Sequence, residues 1–482
     1  MFYKINYILL SLCLSVLISQ SNFNRLIGED IFHGDARSMG IGNSFLTTGT
    51  SGSLILSNPS RISQFKDNFI INGQLNGRMN NERKGIVVKD FFDDIITESD
   101  FAFNQNTYYN TSFNVIFTRS LSDGVRLGLA YADIPLLSFN YNYIEEVRGD
   151  ADNADTFIGS SDPLLGYQIL NNEGEVSLSS LGLSLSTNNL DYGEISFGIG
   201  INRVKPSQMR DYYYINIINN TEDLSNLSNL DPFINIFNIS SEQSHFLTYS
   251  ITFPILKNIT TVFAFEEDID ISSANYIDYQ LSPYIGLPTI ISFDDDNKLH
   301  YSLIGLHYNK PEKYSLGLTY KPASKHALLI TFEATKKLKK HYLSEWNCSN
   351  VLGTPFICNE NDTDAFLENI VQKEKLFEFK LGFEHFLIYG FPIRAGFEYK
   401  ENSFNFDATS IFTLGTGKTF KTITETINSI DFAINYTMNN YRYYDIFPIQ
   451  TNVFDNVCLD DVKCNNVKES SLSFLTTFKI GF

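Results

Sequence analysis

Reading back from Phe482, every second residue is Ile480, Phe478, Thr476, Phe474 and Leu472. The residues between them are Gly481, Lys479, Thr477, Leu475 and Ser473. Successive side chains of a strand point to opposite faces, so this stretch has one largely apolar face and one mostly small, polar or charged face. One such strand constrains little, but its recurrence along the chain constrains nearly everything. Phe113, Val115 and Phe117 alternate with Asn114, Ile116 and Thr118. Val125, Leu127, Leu129 and Tyr131 alternate with Arg126, Gly128, Ala130 and Ala132. The same period sets Ile195, Phe197, Ile199 and Ile201 against Ser196, Gly198, Gly200 and Asn202, and Tyr314, Leu316, Leu318 and Tyr320 against Ser315, Gly317 and Thr319.

Two later strands decide between a soluble sheet and a membrane barrel. Phe377, Phe379, Leu381 and Phe383 oppose Glu378, Lys380, Gly382 and Glu384. Ile393, Ala395, Phe397 and Tyr399 oppose Arg394, Gly396, Glu398 and Lys400. A dry inner face does not tolerate so many ionised groups. If the charged faces are wet, the apolar faces need a covering layer, and lipid supplies it directly. Closure into a barrel pairs both sheet edges, as the hydrocarbon core requires. The expected fold is therefore all-β, a transmembrane antiparallel barrel of about 14 strands, with 16 as the alternative. The difference turns on residues 286–338, where Asp294 to Asn297 either makes a tight turn or does not. An even count puts both chain ends on the periplasmic side.

Composition agrees. The 482 residues include 41 Phe and 27 Tyr but one Trp, which suits strands and interfacial aromatic girdles. Mean hydropathy is −0.12, and beyond the N-terminus no apolar run reaches the ~18 residues of a membrane helix. A net charge of −19 argues against nucleic acid, whose phosphates need a basic surface. Residues 1–21 read as a signal peptide: Lys4 before an apolar run from Ile8 to Ile18, then Ser19-Gln20-Ser21 for cleavage. Four cysteines remain, Cys348, Cys358, Cys458 and Cys464. In an exported chain an even count reads as disulfides, here two local pairs. Neither spacing is the CxxC of a zinc site.

Short links at Ser122-Asp123-Gly124, 188–193, Lys257-Asn258, 322–325 and Tyr389-Gly390 alternate with long polar segments at about 79–110, 136–174, 205–244, 340–375 and 439–468. That is the alternation of periplasmic turns and extracellular loops, and both cysteine pairs fall in long segments. Across 176–185 the alternation changes phase near Ser179-Ser180, which predicts a β-bulge.

Residues 22–66 are not strand-like. They hold GDARSMGIGNSFLTTGTSGSLILSNPSRIS, rich in Gly, Ser and Thr. This stretch resembles the opening of FadL-like outer-membrane transport proteins and their PorV-type relatives, in which a small-residue segment leads to an Asn-Pro-Ala motif. Gly40, Gly42, Asn58 and Pro59 match, and Ser60 stands where alanine is usual. LGLTYKPASKHALLITFEA and RAGFEYKENSFNFDATSIFTLGTGKTF are similar to the family as well. The resemblance implies that residues 22–66 fold as a hatch inside a barrel built from residues 67–482. It also implies passive uptake of hydrophobic or amphipathic small molecules, such as long-chain fatty acids or hydrocarbons. A PorV-like module that binds exported proteins is the alternative, and an adhesive or purely structural barrel a third reading. The expected partners are a hydrophobic ligand, outer-membrane lipid, the barrel-assembly machinery and, in the PorV-like case, exported proteins. Phe482 is the expected C-terminal assembly signal.

No enzymatic chemistry or cofactor is expected. LGTGKTF at 414–420 lacks the first glycine of a phosphate loop, since Phe412 stands there. GTSGS at 49–53 puts Ser53 where a nucleophile elbow needs glycine, and the seven histidines form no HExxH pair. GDADNAD at 149–155 has Ala154 and Ser161 where a calcium loop needs ligands. The lumen-facing candidates are Glu378, Lys380, Glu384, Arg394, Glu398, Lys400 and Lys479, which are expected to pair across strands. Inward Ile116 and Leu475 suit a greasy pocket.

Overall fold

The computed structural model describes residues 29–89, 95–148, 164–190, 193–217, 233–241, 243, 245–273, 289–293, 299–303, 307–322, 328–349, 355–357, 365–386, 391–402, 408–421, 427–444 and 464–482. Residues 1–21, expected to be a signal peptide, the acidic stretch 149–155, Tyr389-Gly390, Cys358 and Cys458 lie outside these residues. Of Cys348 and Cys464 only the backbone is described.

The wall begins with β1 (Phe69–Lys89) and β2 (Ile95–Ser122). β3 (Val125–Ser138), β4 (Leu164–Leu190), β5 (Gly193–Val204) and β6 (Phe246–Leu256) follow. Next come β7 (Ile259–Glu266), β8 (Glu312–Tyr320), β9 (Leu328–Ser349) and β10 (Ala365–Phe386). β11 (Pro392–Lys400), β12 (Thr409–Lys421), β13 (Ile427–Tyr444) and β14 (Cys464–Gly481) complete it. Each strand pairs antiparallel with the next, and β14 returns to β1 from Ile70↔Gly481 to Gly85↔Asn466. The result is a closed barrel of 14 strands. Phe482 extends the closure: its N–H donates to the Phe69 carbonyl at 2.8 Å, and its own carbonyl accepts from Asn68 N at 3.1 Å.

Alternation becomes inside and outside as the barrel rule requires. Leu414 and Phe432 are 56% and 50% exposed on the outer wall, while Thr413 and Asp431, next to them in sequence, are 2% and 6% exposed within. Thr289–Phe293 and Leu299–Leu303 pair with each other as a separate hairpin and add no wall strand, which settles the count.

Two expectations are corrected. The segments at 79–110 and 340–375 are largely ladder, not loop. β1 and β2 stay paired from Phe69↔Phe117 to Lys89↔Ile95, and β9 and β10 from Leu328↔His385 to Cys348↔Ala365. The other three long segments likewise carry paired strands, including Tyr141–Arg148 on β4 and Ser207–Ile217 on Phe233–Ser240. β13 and β14 stay paired up to Tyr444↔Cys464. Outside the bilayer both faces of a strand meet water, so alternation fades while main-chain pairing continues. The bulge expected near Ser179-Ser180 is also absent. Val176, Leu178 and Ser180 all face inward, and from Leu178 onward through Ser180 the register with both β3 and β5 is unbroken. The phase changes because the inner face turns from polar to apolar there. The irregularity lies opposite, on β3, between Pro135 and Leu137.

Candidate functional site

Residues 31–65 run through the lumen as short turns. Asp35 caps the helix α1 (Ala36–Gly40) by accepting from Ser38 N at 2.9 Å. The chain then reverses through Gly42 (φ 70°) and Asn43 (φ 57°), the residue types that most readily take left-handed backbone. A second short helix, α2 (Phe45–Thr48), and two 3₁₀ turns, Gly52–Leu56 and Pro59–Gln64, follow. Asn58 takes non-helical backbone (φ −146°, ψ 70°) before Pro59, which opens its turn at the position proline suits. The amide of Asn58 donates to the Leu46 carbonyl at 2.8 Å, and Ser60 Oγ donates to Asn58 Oδ1 at 2.6 Å. Ser60 also binds the wall, its N–H donating to Ser250 Oγ at 2.8 Å. An alanine in its place would lack the hydroxyl contacts.

The plug seats backbone against wall where the wall has no side chain. A Cβ on Gly396 of β11 would stand 2.1 Å from the Gly42 nitrogen, and one on Gly198 of β5 would stand 2.1 Å from the Ser60 nitrogen. Gly40 lies against Gly415 of β12 in the same way. The stretch that looked like a phosphate loop is therefore wall strand with a plug-bearing glycine.

Beside this seat lies a buried ionic network. The Arg37 guanidinium, on α1, donates to both oxygens of Glu384 on β10, at 2.9 and 2.7 Å. Arg394 on β11 donates to Glu384 at 2.7 Å and to Asp431 on β13 at 2.7 Å. Burial pulls the Arg37 guanidinium down, but Glu384 outweighs it and holds the group above its ordinary value. Further round, Glu398 accepts from Asn43 Nδ2 at 2.5 Å, and Glu333 of β9 accepts from both Thr47 N and Thr47 Oγ1 at 2.8 Å. Glu378 binds Lys380 at 2.6 Å and also pairs with Lys337, while Lys400 stands opposite Glu378 in the β10–β11 register. The Lys479 ammonium lies 5.1 Å from the Phe65 ring centre. Replacing Glu384 by glutamine leaves the Arg37 guanidinium without its paired carboxylate and Arg394 with Asp431 alone. We expect a loss of about 3–5 kcal/mol in chemical unfolding of the reconstituted barrel, the usual scale for breaking a buried pair.

The opposite side of the lumen is apolar. Ile134, Leu136, Leu137 and Phe139 of the β3 region pack with Val176, Leu178 and Val204 against plug residues Phe45, Leu54, Ile55, Leu56 and Ile62. Ile116 joins this cluster, whereas Leu475 packs with Ala36, Met39 and Ala433. Here the wall departs from a regular barrel. The β2–β3 ladder stops at Phe113↔Asp133, and β3 continues with its β2-side edge given instead to the plug. Glu29 and Asp30 pair with Ser138 and Leu137, and Ile31 N donates to the Leu136 carbonyl at 3.0 Å. Across the break Tyr108 of β2 donates its hydroxyl to Glu175 of β4 at 2.5 Å. Farther along, Asn142 N, on the strand Tyr141–Arg148, donates to Asn106 Oδ1 of β2 at 2.9 Å.

No protein-family model and no curated protein matches the sequence. Among solved structures, a FadL homologue of Pseudomonas aeruginosa superposes over 94% of this chain and 100% of its own, with TM-score 0.50 and 11% identity. The chain has a FadL-like fold. The toluene transporter TodX of P. putida aligns over 95% of this chain and 99% of its own (TM-score 0.49, 11% identity), and the toluene transporter TbuX of Ralstonia pickettii over the same shares at TM-score 0.45 and 11% identity. In this FadL-like barrel, Asp431 and Glu333 could have been picked from the alternation they share with Phe432 and Phe332. Arg37, Asp35 and Asn43 carry no such signal, because the plug has no regular period.

Proposed function

We propose that the chain is a passive outer-membrane channel for hydrophobic or amphipathic small molecules. The observation that carries this reading is the break between β2 and β3, filled by residues 29–31 and backed by an apolar interior. An incoming apolar molecule exchanges water for the cluster around Leu136 and Leu178, at about 25 cal/mol per Å² buried before the cost of ordering it. Displacing the short strand at residues 29–31 from the β3 edge would open the break sideways towards lipid, while the ionic network holds the rest of the plug. Asn106 and Asn110 of β2 and Asn72, Asn76 and Asn80 of β1 face the same lumen. Their amides suit the polar end of an amphipathic cargo, and long-chain fatty acids are the finer reading. The passage needs no energy input, since the gain on leaving water drives entry. Its role is that of a channel rather than an enzyme.

The test is native mass spectrometry of protein extracted gently from membranes, followed by extraction of whatever is bound. The expected result is a fatty acid, hydrocarbon or similar small molecule, lost from a Leu136→Asp/Leu178→Asp variant that still shows the heat-modifiable migration of a folded barrel. An exported protein bound to a barrel with an empty lumen would instead support the PorV-like alternative and overturn this proposal.

A further inference from the structure

The outer wall carries a site that passage through the lumen does not use. Two adjacent rows of outward side chains cross six strands at right angles to the chain. One row runs Phe197, Ile251, Phe263, Leu316, Ala334 and Phe379, each opposite the next in register. The second, one step nearer the long-loop end, runs Ile199, Tyr249, Phe265, Tyr314, Lys336 and Phe377. Together they line a groove of about 880 Å³ in the lipid-facing surface. Ala334 is the small side chain between Leu316 and Phe379, so the wall is lowest there.

The groove ends in cations. β9 rises from the short-turn end at Leu328, which places Lys336 at the upper edge of the apolar belt, above Ile330 and Phe332. One step further Leu338 faces Lys375, and two steps further Lys340 faces Lys373. Four outward lysines thus crowd two strands of a chain with net charge −19. The carboxylates nearby are engaged: Asp268 pairs with Lys340, Glu312 accepts from the Tyr314 hydroxyl, and Glu401 accepts from Phe377 N at 2.8 Å. Among the described residues no carboxylate pairs with Lys336, Lys373 or Lys375.

We propose that this site binds a net-anionic, phosphate-bearing lipid of the outer leaflet, with acyl chain in the groove and phosphate on Lys336, Lys373 and Lys375. Acyl chains gain little by moving from bilayer to an apolar wall, since both are greasy. Selectivity therefore rests on the headgroup. Lysine ammonium groups at the membrane surface attract anionic lipid, and phosphate accepts charge-assisted hydrogen bonds from them. The Lys336 stem lies along the groove while its ammonium reaches the headgroup level, as long cationic side chains do at an interface.

The test is native mass spectrometry of the full mature chain in detergent, titrated with diphosphorylated lipid A or with phosphatidylcholine as probes. We expect one lipid A adduct that millimolar inorganic phosphate does not displace, and weaker binding of phosphatidylcholine. Lys336→Gln/Lys373→Gln/Lys375→Gln should weaken lipid A binding by about tenfold or more. Ala334→Phe, which fills the groove and keeps every charge, should weaken it as well, and it reads the site independently should the triple variant fail to fold. Unchanged lipid A affinity in the triple variant, equal binding of phosphatidylcholine, or displacement by inorganic phosphate overturns the proposal.

Discussion

Replacing Gly396 by valine is expected to unseat the plug while leaving the barrel wall intact. Even the first added carbon would lie 2.1 Å from the Gly42 nitrogen and 2.3 Å from its Cα. Both are main-chain atoms, so no side-chain rotation relieves the overlap. Gly42 has little room to retreat: its N–H donates to Thr413 Oγ1 at 2.8 Å, and a Cβ on Gly42 itself would meet the Leu381 carbonyl oxygen at 2.4 Å. Overpacking at a yielding core site costs about 1–3 kcal/mol, and a clash with fixed backbone on both sides costs more. The wall tolerates the change because β11 keeps its ladder to β10 and β12 with any side chain at this position. In planar bilayers we expect a steady conductance absent from the parent protein, together with protease cleavage within residues 31–65. A closed, protease-resistant variant would show that the wall glycines are not what seats the plug.

Tying the leading strand to β3 is expected to stop uptake. Glu29 and Ser138 are directly opposed in an antiparallel pair, and Cα atoms in such pairs lie about 4.5–5.5 Å apart, within the range a disulfide spans. Glu29→Cys/Ser138→Cys, oxidised, holds residues 29–31 on the β3 edge and leaves the apolar cluster untouched. If that strand is the gate, flux of a hydrophobic probe into vesicles or cells should fall by about tenfold or more and return on reduction. The single Glu29→Cys variant serves as the control for the thiol alone. Undiminished flux through the oxidised protein would separate cargo passage from movement of this strand.

The parts of the structure that were legible in the chain are those that obey a local period. Phe412, Thr413 and Leu414 are adjacent in sequence, and their alternation places each on its face of β12 without any knowledge of what lies beside it. Where local period and environment disagree, reading failed. Val176 and Leu178 are apolar and point inward, so they mimicked a bulge. The stretch 79–84, Met-Asn-Asn-Glu-Arg-Lys, shows no apolar alternation in the sequence, so a long paired ribbon resembled loop. The candidate site divides in the same way. Glu384, Arg394 and Glu398 could be named because each occupies an inward position opposite an outward Phe or Ile. Arg37, which joins two of them, could not be found, because its partner is 347 residues away and the plug's turns carry no repeating signal.

By itself the sequence determined a lipid-facing barrel: alternation is a property of each strand and its solvent, and fourteen strands with apolar outer faces have few other ways to satisfy both their backbones and their side chains. Only the tertiary structure decided where that barrel is broken, which glycines admit the plug, and which inward charges meet. Those outcomes depend on register between distant strands and on main-chain contacts measured in fractions of an ångström, neither of which leaves a period in the chain.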